Sequence, residues 1–256
     1  MEAAYVAHKK GHHVVLCEKE DELGGLTRLA AVPIGKQDLT KVIQFMQRRL
    51  ERYGVEVRLN CLVTSEMLAN EFKDYEVIAS TGAKPVVINA FTSFKQTMTA
   101  DDILAGRAFP GRNIVILGGG SVGCETADYL APIVNDRFPR NRVITVLEMM
   151  DEVMMKESGP GRSLLVQRMM AKGINMLCKA KVDRVEEDKI YYTQNNEQHV
   201  IEDADTLVFA TGYRSDPAME EMLKEAGNPY HLIGDAKQAR SIKDAIFEGY
   251  DVAKQI

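Results

Sequence analysis

The sequence predicts an α/β protein in which parallel strands are covered by helices, and three features predict it. Apolar segments of strand length alternate with segments of helical spacing along most of the chain. The run Asn113–Leu117 is almost wholly apolar, as a strand buried on both faces must be, and it leads through glycines into a helical segment. Residues 175–210 carry several short alternating segments broken by the polar turn 194–198, the pattern of a small β-meander. A chain of 256 residues with 45% hydrophobic and 27% charged residues is long enough for two domains.

The elements follow in order. Ala3, Ala4 and Ala7 give residues 1–10 a helical stripe, and Gly11 supplies the left-handed stop. A strand follows at residues 13–17. Leu39–Tyr53 reads as an amphipathic helix ending at Gly54, and residues 55–59 alternate as a strand. Residues 76–80 form another short apolar strand. After Asn113–Leu117 come a helix at 124–130, a strand at Val143–Leu147 and a helix around 164–172. Beyond the meander, a strand at 230–233 precedes the pair Gly234 and Asp235, and a last helix runs over about 241–254.

Bulk properties exclude some function classes. A net charge of -5 gives no electrostatic reason to bind nucleic acid or anionic lipid, which reward a basic face. No run reaches the roughly 18 apolar residues of a membrane span, and the first residues lack the order of a secretory signal, so a cytoplasmic location is expected. Cys17, Cys61, Cys124 and Cys178 stand far apart with no C-x-x-C pair, and read as reduced, mostly buried thiols. His8, His12, His13, His199 and His231 show no partnered carboxylate spacing, so no catalytic residue and no metal site is assigned. The methionines after Glu148 (Met149, Met150, Met154 and Met155) read as core and helix packing, with an adaptable contact surface as the alternative.

The strongest motif is ILGGGSVG at residues 116–123, which fits G-x-G-x-x-G at Gly118, Gly120 and Gly123 between a strand and a helix. Gly118 permits the tight turn, Gly120 lets backbone approach a pyrophosphate, and Gly123 lets helix and strand pack closely. Ser121 opens the helix, whose free N–H groups and dipole favour an anion. The pattern also asks for an acid at the end of the next strand, and Glu148 supplies it. Its distance from Gly118 exceeds the usual about 20 positions, which fits an extra loop over residues 132–141. A carboxylate there accepts ribose hydroxyls and repels a 2′-phosphate, which favours NAD over NADP.

The logic echoes elsewhere. Glu18 closes the apolar strand 13–17 as Glu148 closes its own, and Gly24 and Gly25 follow. STGAKP at 80–85 and ATGYRSD at 210–216 are matched strand-end turns, with Gly82 and Gly212 at points where chain crosses between domains.

Together with EAAYVAHKKGHHVVLCEKEDELGG, LAAVPIGKQDL and LIGDAKQARSIKDAIFEGYDVA, these segments resemble the two-dinucleotide-binding-domain flavoproteins. The resemblance is strongest to the C-terminal part of the 2,4-dienoyl-CoA reductase, 2-enoate reductase and trimethylamine dehydrogenase group of NADH:flavin oxidoreductases. It implies two Rossmann-like domains: an FAD (or ADP) domain at 1–108 and 213–256, and an NAD(P)H domain at 109–212 inserted into it. It also implies that the first strand and first glycine loop of the FAD domain lie ahead of Met1. Site residues carry over one by one. Glu18 and Lys19 would bind the adenosine ribose of the first nucleotide, with Gly24 and Gly25 in close backbone approach. Val63 would meet the adenine through its backbone, Gly82 would line the same nucleotide, and Gly234 with Asp235 would bind the ribityl and pyrophosphate region. Gly118, Gly120, Ser121, Gly123 and Glu148 would hold NAD(H), with Gly212 near its nicotinamide end. FMN and an iron–sulfur cluster would belong to an upstream TIM barrel or partner chain.

Two readings follow. One is a flavin-dependent module passing a hydride from NADH to flavin as part of a larger enoate or dienoyl-CoA reductase-like enzyme, with a homo-oligomer possible. The other is a non-catalytic dinucleotide- or ADP-binding module that docks on a separate catalytic chain. A disulfide reductase is disfavoured because the sequence shows no paired thiols to take electrons from flavin.

Overall fold

The computed structural model describes residues 1–131, 142–155, 157 and 159–256, and the element counts below refer to these. The expected extra loop at 132–141 lies outside them. In chain order the elements are α1 (Glu2–Lys9), β1 (Val15–Cys17), α2 (Leu26–Ala30), α3 (Leu39–Tyr53), β2 (Glu56–Arg58), α4 (Ser65–Ala69), β3 (Val77–Ala79) and β4 (Ala83–Pro85). Then follow β5 (Thr97–Thr99), α5 (Ala100–Leu104), β6 (Asn113–Leu117), α6 (Ser121–Leu130), β7 (Val143–Leu147), α7 (Pro160–Ala171) and β8 (Asn175–Leu177). The chain closes with β9 (Ala180–Val185), β10 (Ile190–Gln194), β11 (Glu197–Ile201), β12 (Thr206–Phe209), β13 (Tyr213–Ser215), α8 (Ala218–Ala226), β14 (Tyr230–Leu232) and α9 (Ile242–Gln255). Two compact units form: residues 1–31, 38–84 and 213–256 make the first, and 32–37 with 85–212 the second.

The second unit is built on a five-stranded parallel sheet in the order β5, β12, β6, β7, β8. Period-two alternation sends its side chains to two separate apolar layers. Ile114, Ile116, Ile144, Val146 and Val208 face Ile103 of α5, Cys124, Ala127 and Leu130 of α6, and Leu165 and Met169 of α7. Val115, Leu117, Leu147, Leu207 and Phe209 face Phe91, Phe94 and the strands β9 and β10. One face is therefore covered by helices as expected, but the other is covered by the antiparallel meander β9, β10, β11. The meander is narrower than residues 175–210: β8 and β12 belong to the parallel sheet, a distinction that short apolar runs do not carry. Its tight turn uses Asn195 (φ 52) and Asn196 (φ 65), the left-handed pair that matches strand twist.

The buried Asp128 fixes α6 against α7. It accepts from Arg168 Nε at 2.9 Å and pairs with Lys172 Nζ at 2.9 Å.

The first unit holds two parallel pairs, β1 with β2 and β3 with β14. The pairs are not hydrogen-bonded to one another, yet they share apolar layers: Val14 and Ile78 pack with Ala3, Ala7 and Ala253 of the α1/α9 layer. Helix α3 buries Ile43, Met46 and Leu50 at helical spacing and stops at Gly54, whose φ of 68 is the left-handed cap expected there. Helix α9 starts in a capping box between Ser241 and Asp244.

Candidate functional site

The glycine loop of the second unit stands at the carboxyl end of β6, where the backbone leaves the sheet and turns into α6. Gly118 has φ 100, and a Cβ there would lie 2.4 Å from the Ala210 carbonyl oxygen. A Cβ on Gly123 would lie 1.9 Å from the Gly118 carbonyl oxygen, so helix and loop approach as only glycine allows. A Cβ on Gly120 would meet nothing within 4 Å. The outer two glycines are thus demanded by packing, and the middle one faces open space. Gly120 caps α6 without any side-chain hydrogen bond, which leaves the first amides of the helix to other partners.

Glu148 follows β7 directly and turns onto this loop. Its Oε2 accepts from the Gly119 N–H at 2.7 Å and its Oε1 from the Met150 N–H at 2.8 Å. The Gly119 carbonyl in turn accepts from the Met154 N–H at 2.7 Å and from the Cys124 thiol at 3.3 Å. Each Glu148 oxygen keeps a lone pair, so the carboxylate can hold the loop and still accept from a ligand. Ser121 Oγ donates to Glu157 at 2.6 Å. Gly212, with φ 98 and open space at its Cβ position, belongs to the same unit. Thr211 beside it donates its hydroxyl to the Val86 carbonyl at 2.6 Å.

In the first unit Glu18 stands one residue beyond β1. Its N–H donates to the Arg58 carbonyl at 2.9 Å, its carbonyl accepts from Cys61 at 2.8 Å, and its Oε1 accepts from the Glu20 N–H at 3.1 Å. Lys19 pairs with Glu20 at 3.5 Å. Gly24 (φ 126) packs against Arg28 and Ile43, whereas Gly25 (φ 50) opens α2 with free space around it, as does Gly82 (φ 80). Val63 sits half-buried beside Cys17 in the apolar layer around Leu68 and Phe72. Gly234 (φ 58) donates its N–H to Glu248 at 2.7 Å, and Asp235 accepts from the Arg240 N–H at 3.1 Å while its carbonyl takes the Ser215 hydroxyl at 2.6 Å. The Arg240 guanidinium outweighs burial and holds the Glu248 carboxyl below its usual value.

Three expectations need correction. His231 Nε2 lies 2.7 Å from Glu76, and His13 lies 3.7 Å from Glu56 and 3.0 Å from the Tyr75 hydroxyl. Parallel pairing of β3 with β14 and of β1 with β2 brings these partners together, which spacing along one segment does not reveal. Met149, Met150 and Met155 are exposed and only Met154 is buried, because residues after Glu148 leave the sheet end. Of the four cysteines only Cys124 is buried, with its thiol pushed up to about 12 by desolvation. Cys17, Cys61 and Cys178 are half-buried and, like Cys124, free. Among the described residues, no group of three or more His, Cys, Asp or Glu is placed to hold a metal ion.

The Pyridine nucleotide-disulphide oxidoreductase family model matches residues 1–256. The chain belongs to this family. As an oxidoreductase-family chain of FAD- and NAD(H)-binding type, it has a match over its whole length to cinnamate reductase of Clostridium sporogenes, 31% identical over 260 residues and covering 37% of that protein. NADH oxidase of Thermoanaerobacter brockii is 31% identical over 264 residues, with all of this chain matching 39% of that protein. The chain therefore spans about two fifths of the length of these curated relatives. Among solved structures, a 2-naphthoyl-CoA reductase matches the whole chain over 38% of its own with a TM-score of 0.89 at 24% identity. Histamine dehydrogenase from Rhizobium sp. 4-9 matches over 40% of its chain with a TM-score of 0.82 at 17% identity. These relatives bear out the reductase and amine dehydrogenase group to which the sequence points, and the structures bear out its α/β dinucleotide-binding fold. No helix among the described residues is long and apolar enough to cross a membrane.

Proposed function

We propose that the second unit binds NADH and the first unit FAD or its ADP portion, as the nucleotide-binding part of a larger enoate or dienoyl-CoA reductase-like enzyme. When bound, the two nucleotides supply the hydride donor and its flavin acceptor. The protein's own part is to seat and orient them. One observation carries the reading: Gly118 and Gly123 are closed by packing while Gly120, between them at the head of α6, is open. A loop kept for a turn alone has no need of an uncapped helix end beneath an empty glycine.

The residues fit the nucleotides. The amides following Gly120, with the Ser121 hydroxyl, would take the pyrophosphate, and Glu148 would accept ribose hydroxyls through its remaining lone pairs. Asp151, Glu152 and Glu157 add negative charge after Glu148, which disfavours a 2′-phosphate and selects NADH over NADPH. Gly212 would lie by the nicotinamide. In the first unit, Glu18 and Lys19 would hold the adenosine ribose, Gly24, Gly25 and Gly82 would allow close backbone approach, Val63 would meet the adenine, and Gly234 with Asp235 would take the flavin side. FMN, an iron–sulfur cluster and the substrate-reducing chemistry belong to an upstream barrel or partner chain in this proposal.

Calorimetric titration of the chain with NADH and NADPH, together with its visible spectrum, tests the assignment. NADH is expected to bind more tightly than NADPH, and a flavin absorbance to accompany the purified protein. A colourless protein that still binds NADH would reassign the chain to a structural nucleotide-binding module. Absence of heat with either nucleotide would overturn the proposal.

A further inference from the structure

We infer that Asp151 and Lys179 together set the choice between NADH and NADPH: Lys179 is a latent receptor for a 2′-phosphate, and Asp151 masks it. The inference rests on the reading of Glu148 as the ribose-binding acid and names the residues that make that site selective.

A repeat within the chain locates Lys179. In the second unit the Glu148 N–H donates to the Leu177 carbonyl, the Ala180 N–H to the Glu148 carbonyl, and the Lys179 N–H to the Met150 carbonyl, each at 2.9 Å. In the first unit the Glu18 N–H donates to the Arg58 carbonyl at 2.9 Å, the Cys61 N–H to the Glu18 carbonyl at 2.8 Å, and the Asn60 N–H to the Glu20 carbonyl at 2.9 Å. The two acids close the same turn: Glu148 Oε1 accepts from the Met150 N–H at 2.8 Å, and Glu18 Oε1 from the Glu20 N–H at 3.1 Å. Lys179 therefore occupies the position that Asn60 holds in the first unit. Both are left-handed, with φ of 55 and 53. Asparagine is among the residues that this conformation favours and lysine is not, so backbone preference does not account for Lys179.

Its side chain supplies a reason. Lys179 Nζ lies 3.6 Å from Asp151 Oδ1, three residues past Glu148 in a turn that Met150 ties to both Glu148 and Lys179. The two side chains are 58% and 70% exposed, so the pair is weak and open to competition from a ligand. Lys179 and Lys181 also line a cleft of about 400 Å³ with Asn195 and Asn196. The carboxylate of that cleft, Asp183, is engaged by the Thr193 hydroxyl at 2.6 Å. Room, two ammonium groups and amide donors suit a phosphate. Asp151 opposes it twice, by neutralising Lys179 and by repelling the phosphate's own charge.

Calorimetric titration with NADH, NADPH, AMP and adenosine 2′,5′-bisphosphate tests the inference on the parent chain, on Asp151→Asn, and on Asp151→Asn combined with Lys179→Asn. The first substitution removes the charge at nearly constant shape, and the second installs the residue type that the first unit carries at the matching left-handed position. Asp151→Asn is expected to raise the affinity for NADPH relative to NADH, and for the bisphosphate relative to AMP, about tenfold. Adding Lys179→Asn should return both ratios to the parent values. Ratios unchanged in the single variant would overturn the masking by Asp151. Ratios that stay raised in the double variant would overturn Lys179 as the receptor and leave only relieved repulsion. If the parent and both variants bind none of the four ligands, the nucleotide reading falls and the inference with it.

Discussion

The candidate nucleotide-binding residues are arranged in opposite ways in the two units. In the second unit all the candidate contacts but Gly212 fall in one loop and one strand end, and packing fixes that loop: Gly118 against Ala210, Gly123 against Gly118, Gly119 against both Glu148 and Met154. In the first unit the candidates come from five separate segments, around Glu18, Gly24, Val63, Gly82 and Gly234, on two parallel pairs that share apolar layers without sharing strand hydrogen bonds. A site concentrated in one loop is vulnerable at single atoms. A dispersed one fails by degrees.

Gly123→Ala gives the largest effect this contrast predicts. Its Cβ would sit on the Gly118 carbonyl oxygen, so the loop or α6 must move, costing about 3 kcal/mol or more and abolishing NADH binding. The counterpart Gly25→Ala meets no atom and carries only the strain of positive φ, about 1–2 kcal/mol. Urea unfolding of the two variants measures the difference, and equal losses would break the contrast.

Glu148 comes next, because it holds the loop and, in the proposed function, also takes a ribose. Glu148→Arg removes the acceptor from the Gly119 N–H and reverses the charge, so NADH binding should weaken at least tenfold, with NADPH gaining. Glu148→Gln separates the two roles: it keeps an acceptor for one N–H, and should reduce NADH affinity by less while leaving loop stability nearly intact. If both variants keep the parent preference between the two nucleotides, another residue sets it.

Gly120→Ala is smaller in stability and sharper in meaning. With nothing within 4 Å of its Cβ the variant should fold as the parent does, yet lose about tenfold in NADH affinity, near 1.4 kcal/mol, because the methyl group occupies the space a pyrophosphate needs. Unchanged affinity would show that the opening serves no ligand.

The same contrast explains what was legible in the sequence. Asn113–Leu117 and Val143–Leu147 could be read to the residue because strands buried on both faces are continuously apolar, and the glycines because each has a distinct steric task. The elements β4, β5, β13, α2, α4 and α5 are three to five residues long, too short for a period to show, and their placement comes from partners distant in the chain. So too with the side chains. The pairing of His231 with Glu76 exists only once parallel strands have been brought into register. The helix α8 has a clear apolar stripe ending at Gly227 (φ 76), and that signal was available.

Acid titration separates the units by the smallest effect. Asp205 of the second unit is partly buried, which alone would raise its pKa. The N–H groups of Asn113 and Arg112, at 2.8 and 2.7 Å, together with the Thr206 hydroxyl, overcome this and hold it below 3.8. Glu248 of the first unit is held below 4.5 chiefly by the more exposed Arg240. A carboxyl whose folded pKa is depressed contributes its full stability above the unfolded value and loses it as pH falls through the lower folded value. Asp205→Asn should therefore cost about 2 kcal/mol at neutral pH, and its difference from the parent should shrink only below pH 3.8. Glu248→Gln should cost about 1 kcal/mol or less, because solvent screens the exposed arginine, and its difference should begin to shrink below pH 4.5. Hydrogen exchange resolved to peptides of each unit reads both. A difference that grew on acidification would mean that these carboxyls are stabilised in their protonated form, the reverse of what their N–H and guanidinium partners impose.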